Sequence, residues 1–189
     1  MNAPIKYIPN FVTDPDQALI RLQTDLDWER RGDTPRSEYY CNDHPNPYQY
    51  GKGIGRREYI PRPYTDTIMR IRNQLEAFTG TVFEVCFLNR YHDQKDQLGW
   101  HADNSHEMDD TRPIATISLG VEREIWFRAQ DKTVEGIEKV KLGHGSVCLM
   151  AAGMQDTHFH RIPKAGFLCG ERISLTFRGY LDEKSSILF

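Results

Sequence analysis

The chain has 189 residues, of which 39% are hydrophobic and 27% charged, with a formal net charge of −3. That length supports one folded unit with a substantial core, and the composition is ordinary for a soluble globular protein. The acidic balance excludes capture of a polyanion by the global field, so any nucleic-acid contact must come from local basic patches.

Asp14-Pro15 combines a favourable N-cap with proline at the first helical position. Ala18, Leu19, Leu22 and Leu26 then fall on one face, which predicts an amphipathic helix over residues 15 to 27. Residues 30 to 63 scatter Gly, Pro and Tyr with no clean period. A second helix is predicted from Thr65 or Asp66, with Ile68, Ile71, Leu75 and Phe78 on its apolar stripe and Gly80 at its end. After Gly80 the period becomes two: Phe83, Val85, Phe87, Asn89 and Tyr91 share one face of an extended segment. Further strands are predicted at 98–103, 113–119, 123–128, 138–142, 146–150, 157–162 and 171–180, punctuated by Gly143-His144-Gly145 and Pro163 to Gly166. Two helices ahead of many short strands suggest an α+β fold, a jelly-roll core buttressed by helices.

The apolar runs are all short of transmembrane length, and the opening MNAPIKYIPN lacks a signal core. A cytoplasmic protein, or a nuclear one in a eukaryote, is expected, monomeric and without membrane contact. Cys41, Cys86, Cys148 and Cys169 show no C-x-x-C spacing and read as reduced thiols.

His101 and Asp103 are two residues apart, so in a strand both would face the same way and could share a cation. H-x-D alone is a weak signal. His158 and His160 alternate in the same manner before a turn ending at Pro163, and either could supply a third ligand. Two imidazoles and one carboxylate leave three positions open on an octahedral iron(II), which suits oxygen activation. His144, between glycines, reads as a turn residue, and His44, His92 and His106 read as surface residues. Over Arg172 to Arg178, alternation puts Arg172, Ser174, Thr176 and Arg178 on one face and Ile173, Leu175 and Phe177 on the other. Two cations inside a closed sheet need an anion, and guanidinium forks suit the carboxylates of a diacid. Asn89 and Tyr91 end an otherwise apolar row, as the lining of a small-ligand pocket does.

These residues together resemble the AlkB family of Fe(II)- and 2-oxoglutarate-dependent nucleic-acid dealkylating dioxygenases. The similarity runs from Phe87 to Tyr180 through Leu88-Asn-Arg-Tyr91, Gly99-Trp-His-Ala-Asp103, Pro113 to Gly120, His144-Gly-Ser146, His160-Arg-Ile-Pro-Lys164 and Arg172 to Arg178. The resemblance implies a double-stranded β-helix core over about 81–182 and a nucleotide-recognition lid over about 30–63, within one domain spanning 1–189. It implies iron ligands His101, Asp103 and His160; the family's spacing of its last ligand to the first arginine selects His160 over His158. It assigns Asn89, Tyr91, Arg172 and Arg178 to 2-oxoglutarate. The implied reaction consumes O2 and 2-oxoglutarate, releases succinate and carbon dioxide, and hydroxylates an N-alkyl carbon that leaves as an aldehyde. The implied partner is alkylated DNA or RNA, single-stranded or with a flipped base, with DNA repair as the role.

The lid stretch fits that partner, with seven cations against four acids and five of the nine tyrosines. Cations interleaved with aromatics suit a nucleic-acid strand, and Tyr48, Tyr50, Arg56 and Ser105 are the expected substrate contacts. One departure concerns Asn104 and Ser105, which stand where the dealkylases often carry acids that receive a cationic base. The nearest alternative is the same chemistry on a protein, a tRNA or a small molecule; the next is a metal-containing binding protein without turnover. A zinc hydrolase is disfavoured, because nothing nearby reads as a base for a bound water.

Overall fold

A computed structural model describes residues 2–32, 34–50 and 57–181. Two antiparallel sheets pack face to face. The larger has strand order β1-β10-β7-β12-β5-β2 and the smaller β6-β11-β8-β9. In chain order the larger sheet is built from β1 (Ile5–Ile8), β2 (Ser37–Asn42), β5 (Val85–Tyr91), β7 (Ile114–Gly120), β10 (Ser146–Met150) and β12 (Arg172–Arg178). The smaller contains β6 (Leu98–His101), β8 (Arg123–Ala129), β9 (Glu138–Leu142) and β11 (His158–Ile162), and β3 (Tyr48–Tyr50) with β4 (Arg57–Tyr59) forms a separate hairpin. This is the expected double-stranded β-helix with its buttressing helices.

The helices cover the outer face of the larger sheet. Helix α1 (Pro15–Asp25) buries Ala18 and Leu22, and α2 (Asp66–Thr79) buries Ile68, Ile71 and Leu75. They pack on Cys86, Leu88, Ile117, Val147, Leu175 and Phe177, the outward alternation of four strands. Truncating any one of these large aliphatics would cost about 2–5 kcal/mol. The start of α2 follows its sequence signal, with the Thr65 hydroxyl accepting from the Ile68 N–H at 3.4 Å, and Gly80 closes it at φ 68. Helix α1 likewise starts with Asp14 at the N-cap and Pro15 first in the helix, but Asp14 adopts φ 51 and its side chain makes no capping bond. Phe78 also departs from the predicted stripe, being 49% exposed with its ring edge against Phe11. No helix among the described residues is long and apolar enough to cross a membrane.

Four strands escaped the periodicity: β1, β2, β3 and β4. Strand β2 lies inside the stretch expected to be lid, yet it pairs along its whole length with β5 and is buried on both faces. At the other end of the core, Gly120 turns β7 into β8 at φ 92, where a Cβ would strike the Glu171 carbonyl.

Strand β12 lies between β7 and β5, so neither of its edges reaches solvent. All seven residues are buried, and the polar face of Arg172, Ser174, Thr176 and Arg178 points into the space between the sheets.

Candidate metal centre and co-substrate cavity

Strands β6 and β11 pair antiparallel with His101 directly opposite His160, which sets their ring centroids 4.2 Å apart. The Nδ1 of His101 is engaged by the Gly99 carbonyl at 2.8 Å, leaving Nε2 to face inward. Strand β6 stops at His101, so Asp103 does not share a strand face with it as the spacing suggested. Asp103 instead reaches the centre from the loop beyond, where its backbone N–H donates to Gln155 Oε1 at 2.9 Å. Both carboxylate oxygens point to the imidazoles: Oδ1 lies 3.6 Å from His101 Nε2 and Oδ2 3.6 Å from His160 Nε2. The three potential donor atoms fall within 4.8 Å of one another. His158 stays outside this group, with its Nδ1 2.9 Å from the Thr157 hydroxyl. His144 is a turn residue, its Nδ1 accepting from the Gly120 N–H at 2.8 Å.

Electrostatics prepare these groups as ligands. Burial, with the neighbouring imidazole and Arg178 adding to it, lowers the pKa of His160 to about 3. Burial likewise lowers His101, so both rings are neutral with lone pairs available. Burial opposes ionisation of Asp103, but Arg178 and the two histidines outweigh it and hold the carboxyl below its usual range. Arg178 donates Nη2 to Asp103 Oδ1 at 2.8 Å. Neutral imidazoles with one ionised carboxylate are a donor set that fits a divalent iron.

A cavity runs from these residues between the sheets, lined by Asn89, Tyr91, Thr116, Ser174, Arg172 and Arg178 among others. At its far end Arg172 is fully buried. Its Nε donates to the Ser118 hydroxyl at 2.8 Å, and its guanidinium lies 5.2 Å from the centre of the Tyr91 ring. Both Nη atoms are without a hydrogen-bond partner among the described residues. Burial pushes its pKa down to about 10, so the cation persists at neutral pH in a place that gives it no counter-charge. Such an arginine is strained electrostatically until an anion arrives, and a carboxylate matches its fork. The cavity therefore fits a diacid with one end at Arg172 and the other at the metal ligands.

Asn89 is buried and its Oδ1 accepts from Arg36 Nε at 2.6 Å, while Arg36 Nη2 pairs with Glu38 at 2.6 Å. A second opening leads from His101 and Asp103 past Arg36, Asn89 and Arg178 to Tyr48, Tyr59 and Phe87. Tyr48 is buried here with its hydroxyl 2.8 Å from Ser105 Oγ. Tyr50 lies in β3 opposite Arg57, and Arg56 lies outside the described residues. Three of the other lid cations are not free for phosphates as the composition suggested. Arg30 pairs with Asp96, Arg31 with Glu29, and Arg62 with Asp27 and Glu29. Arg36, Tyr59 and Gln155 were missed as individual site residues. Only the buried R-x-E alternation of Arg36 and Glu38 hinted at the first, in a stretch without a period to frame it.

The family profile described as 2OG-Fe(II) oxygenase superfamily matches residues 5–178. The chain is 32% identical over 131 residues to the Mus musculus "DNA oxidative demethylase ALKBH2", covering 66% of this chain and 54% of that protein. It is 29% identical over 188 residues to the Homo sapiens "Alpha-ketoglutarate-dependent dioxygenase alkB homolog 3", covering 90% of this chain and 64% of that one. The chain thus spans about half to two thirds of the length of these curated relatives. A solved structure described as "The structure of OsALKBH1" superimposes with a TM-score of 0.67 over 95% of this chain and 98% of that chain, at 17% identity, and shares the fold. By profile match and by relatives, the chain belongs to the 2OG-Fe(II) oxygenase superfamily and, within it, to the AlkB family.

Proposed function

We propose that this protein oxidatively dealkylates N-alkylated bases in DNA or RNA, with repair of alkylated DNA as its role. The observation that carries the reading is the His101-Asp103-His160 cluster at one end of a cavity whose other end is a buried arginine with both Nη atoms lacking a hydrogen-bond partner among the described residues. His101, Asp103 and His160 would hold Fe(II), and Arg172 would take one carboxylate of 2-oxoglutarate. With dioxygen, these cofactors supply the oxidation: 2-oxoglutarate is converted to succinate and carbon dioxide, and the N-alkyl carbon, once hydroxylated, leaves as an aldehyde.

The protein's own residues bind, orient and exclude water. Arg178 fixes the Asp103 carboxylate and faces the same cavity, so it serves both ligand and co-substrate. Because Asn89 Oδ1 is taken by Arg36, its Nδ2 remains to donate to the co-substrate. Tyr91 walls the cavity beside Arg172. Tyr48, held by Ser105, with Tyr59 and Phe87 frames the opening through which a flipped or unpaired base would reach the centre. Tyr50 and Arg56 complete the substrate contacts in this reading. The charged residues around that opening are Arg36, Arg178 and an Asp103 already engaged, so a neutral alkylated base suits it better than a cationic one. One domain over 1–189, acting as a monomer in cytoplasm or nucleus, completes the proposal.

Incubation with Fe(II), 2-oxoglutarate and ascorbate, over a panel of alkylated oligonucleotides read by mass spectrometry, tests it. Succinate release matched by loss of an alkyl mass is expected. Succinate release with every oligonucleotide unchanged would move the substrate to protein or small molecule. No succinate under any condition would leave a binding protein.

A further inference from the structure

Strand alternation gives the smaller sheet a second face, turned away from the metal centre. On β11, His160 and Ile162 face the cavity, so Phe159 and Arg161 face out. On β8, Ile125 and Phe127 are buried inward while Trp126 and Arg128 face out. Trp100 precedes His101 on β6, and Lys139 and Lys141 flank Val140 on β9. Cross-strand register places Arg161 opposite Trp126, Trp126 opposite Lys139, and Phe159 opposite Arg128.

The outcome is a ladder of rings and cations across all four strands. Arg161 lies 5.6 Å from the Trp100 ring centre and 5.3 Å from that of Trp126. Lys139 sits 4.2 Å over Trp126, and Arg128 sits 4.5 Å over Trp100 and 5.5 Å from Phe159. Among the described residues none of Arg128, Lys139 and Arg161 forms an ion pair, in contrast to the lid arginines. The three rings are only half-buried. Beyond Trp126 the surface continues into a groove edged by Lys141, Lys164 and Phe167, where Phe167 is 61% exposed. The acids along it are Glu122, near Lys141 at 3.7 Å, and Glu124, which accepts from the Trp126 indole.

We propose that this outer face binds single-stranded nucleic acid, with bases stacking on Trp100, Trp126 and Phe159 and phosphates pairing with Arg128, Lys139 and Arg161. The assignment rests on the nucleic-acid reading of the substrate and goes beyond it, because this surface lies behind the metal ligands and not at the opening beside them. Alternating rings and unpaired cations answer both halves of a strand, the π-faces of its bases and its charged backbone. An acidic peptide would use the cations and have no need of three rings, and an apolar partner would leave the cations between the rings without a counter-charge. On a chain of net charge −3, a face where cations outnumber acids is a local concentration of positive field.

The test compares the chain with its Arg128→Glu/Lys139→Glu/Lys141→Glu variant, three exposed positions outside the metal site. A fluorescein-labelled, unmodified oligothymidylate of about 15 nucleotides is titrated by anisotropy across a salt series. Affinity is expected to fall roughly tenfold or more, and the salt slope to flatten by about 1.4, as loss of the two phosphate contacts at Arg128 and Lys139 requires. Turnover of an alkylated trinucleotide is expected to stay unchanged. A Trp126→Leu chain, with charge intact, is expected to lose affinity and keep its salt slope. Equal affinity and slope for triple variant and parent would overturn the proposal. So would a parent that ignores the strand and instead self-associates through this face. If no alkylated oligonucleotide is ever turned over while the triple variant still loses the strand, the substrate reading falls and the surface stands. If turnover is seen and strand binding is insensitive to the variant, the surface alone falls.

Discussion

The two faces of β12 are buried to the same degree and behave as opposites. Ile173, Leu175 and Phe177 lie against the helices and are fully covered, so their burial drives folding. Arg172 and Arg178, on the other face of the same seven residues, are 0% and 7% exposed and must be stripped of water. Arg172 regains one hydrogen bond for that loss, from Nε to Ser118, and leaves two nitrogen atoms unanswered. A strand that stabilises through one face and gives stability up through the other holds a cation that an anionic ligand would answer.

Separating the faces by mutation gives the clearest tests. His101→Ala or Asp103→Ala should abolish turnover while circular dichroism stays near that of the parent, with a lower melting temperature for Asp103→Ala alone because Arg178 loses its buried partner; residual activity comparable to the parent would remove the residue from the metal site. Arg172→Met should raise the 2-oxoglutarate requirement about 100-fold, the loss of a bidentate charge-assisted contact. Without co-substrate its melting temperature should be no lower, since an unanswered buried cation has been replaced by a chain of similar reach. The matching change on the other face, Leu175→Ala, should cost about 2–5 kcal/mol in denaturant unfolding and leave the 2-oxoglutarate requirement of the folded fraction alone. If Arg172→Met destabilises as much as Leu175→Ala, the contrast between the faces is wrong. Arg178→Ala should raise the requirements for both 2-oxoglutarate and Fe(II), roughly tenfold, because Asp103 loses its partner. Unchanged titrations for both would take Arg178 out of the site. Tyr48→Phe removes one hydroxyl contact to Ser105 and should alter the Michaelis constant for an alkylated oligonucleotide by only a few-fold.

Much of this arrangement is legible in the chain. Alternation over Arg172 to Arg178 names both faces of β12, and the Thr65 and Gly80 punctuation bounds α2. Spacing alone left His158 and His160 level, and cross-strand register with His101 separates them. What resists reading is whatever depends on partners distant in sequence. Ser37 to Asn42 is buried on both faces with Glu38 inside, answered by Arg36 and by the Tyr59 hydroxyl, so no alternation marks it as a strand. Composition shows the lid arginines as free charge, while Asp96, 66 residues from Arg30, neutralises one of them. Asp103 matches the expected spacing for the wrong local reason, since Gln155 and not a strand sets its position.

Strand β6 is four residues long and stands at the margin of its sheet with β11 as its one neighbour. The first imidazole is thus mounted on the least secured rung of the barrel, and an ion shared with His160 would clasp that rung to the next. Protein stripped of its metal should open there first, with faster amide-deuterium exchange from Leu98 to His101 than along β12, and loading should close the gap.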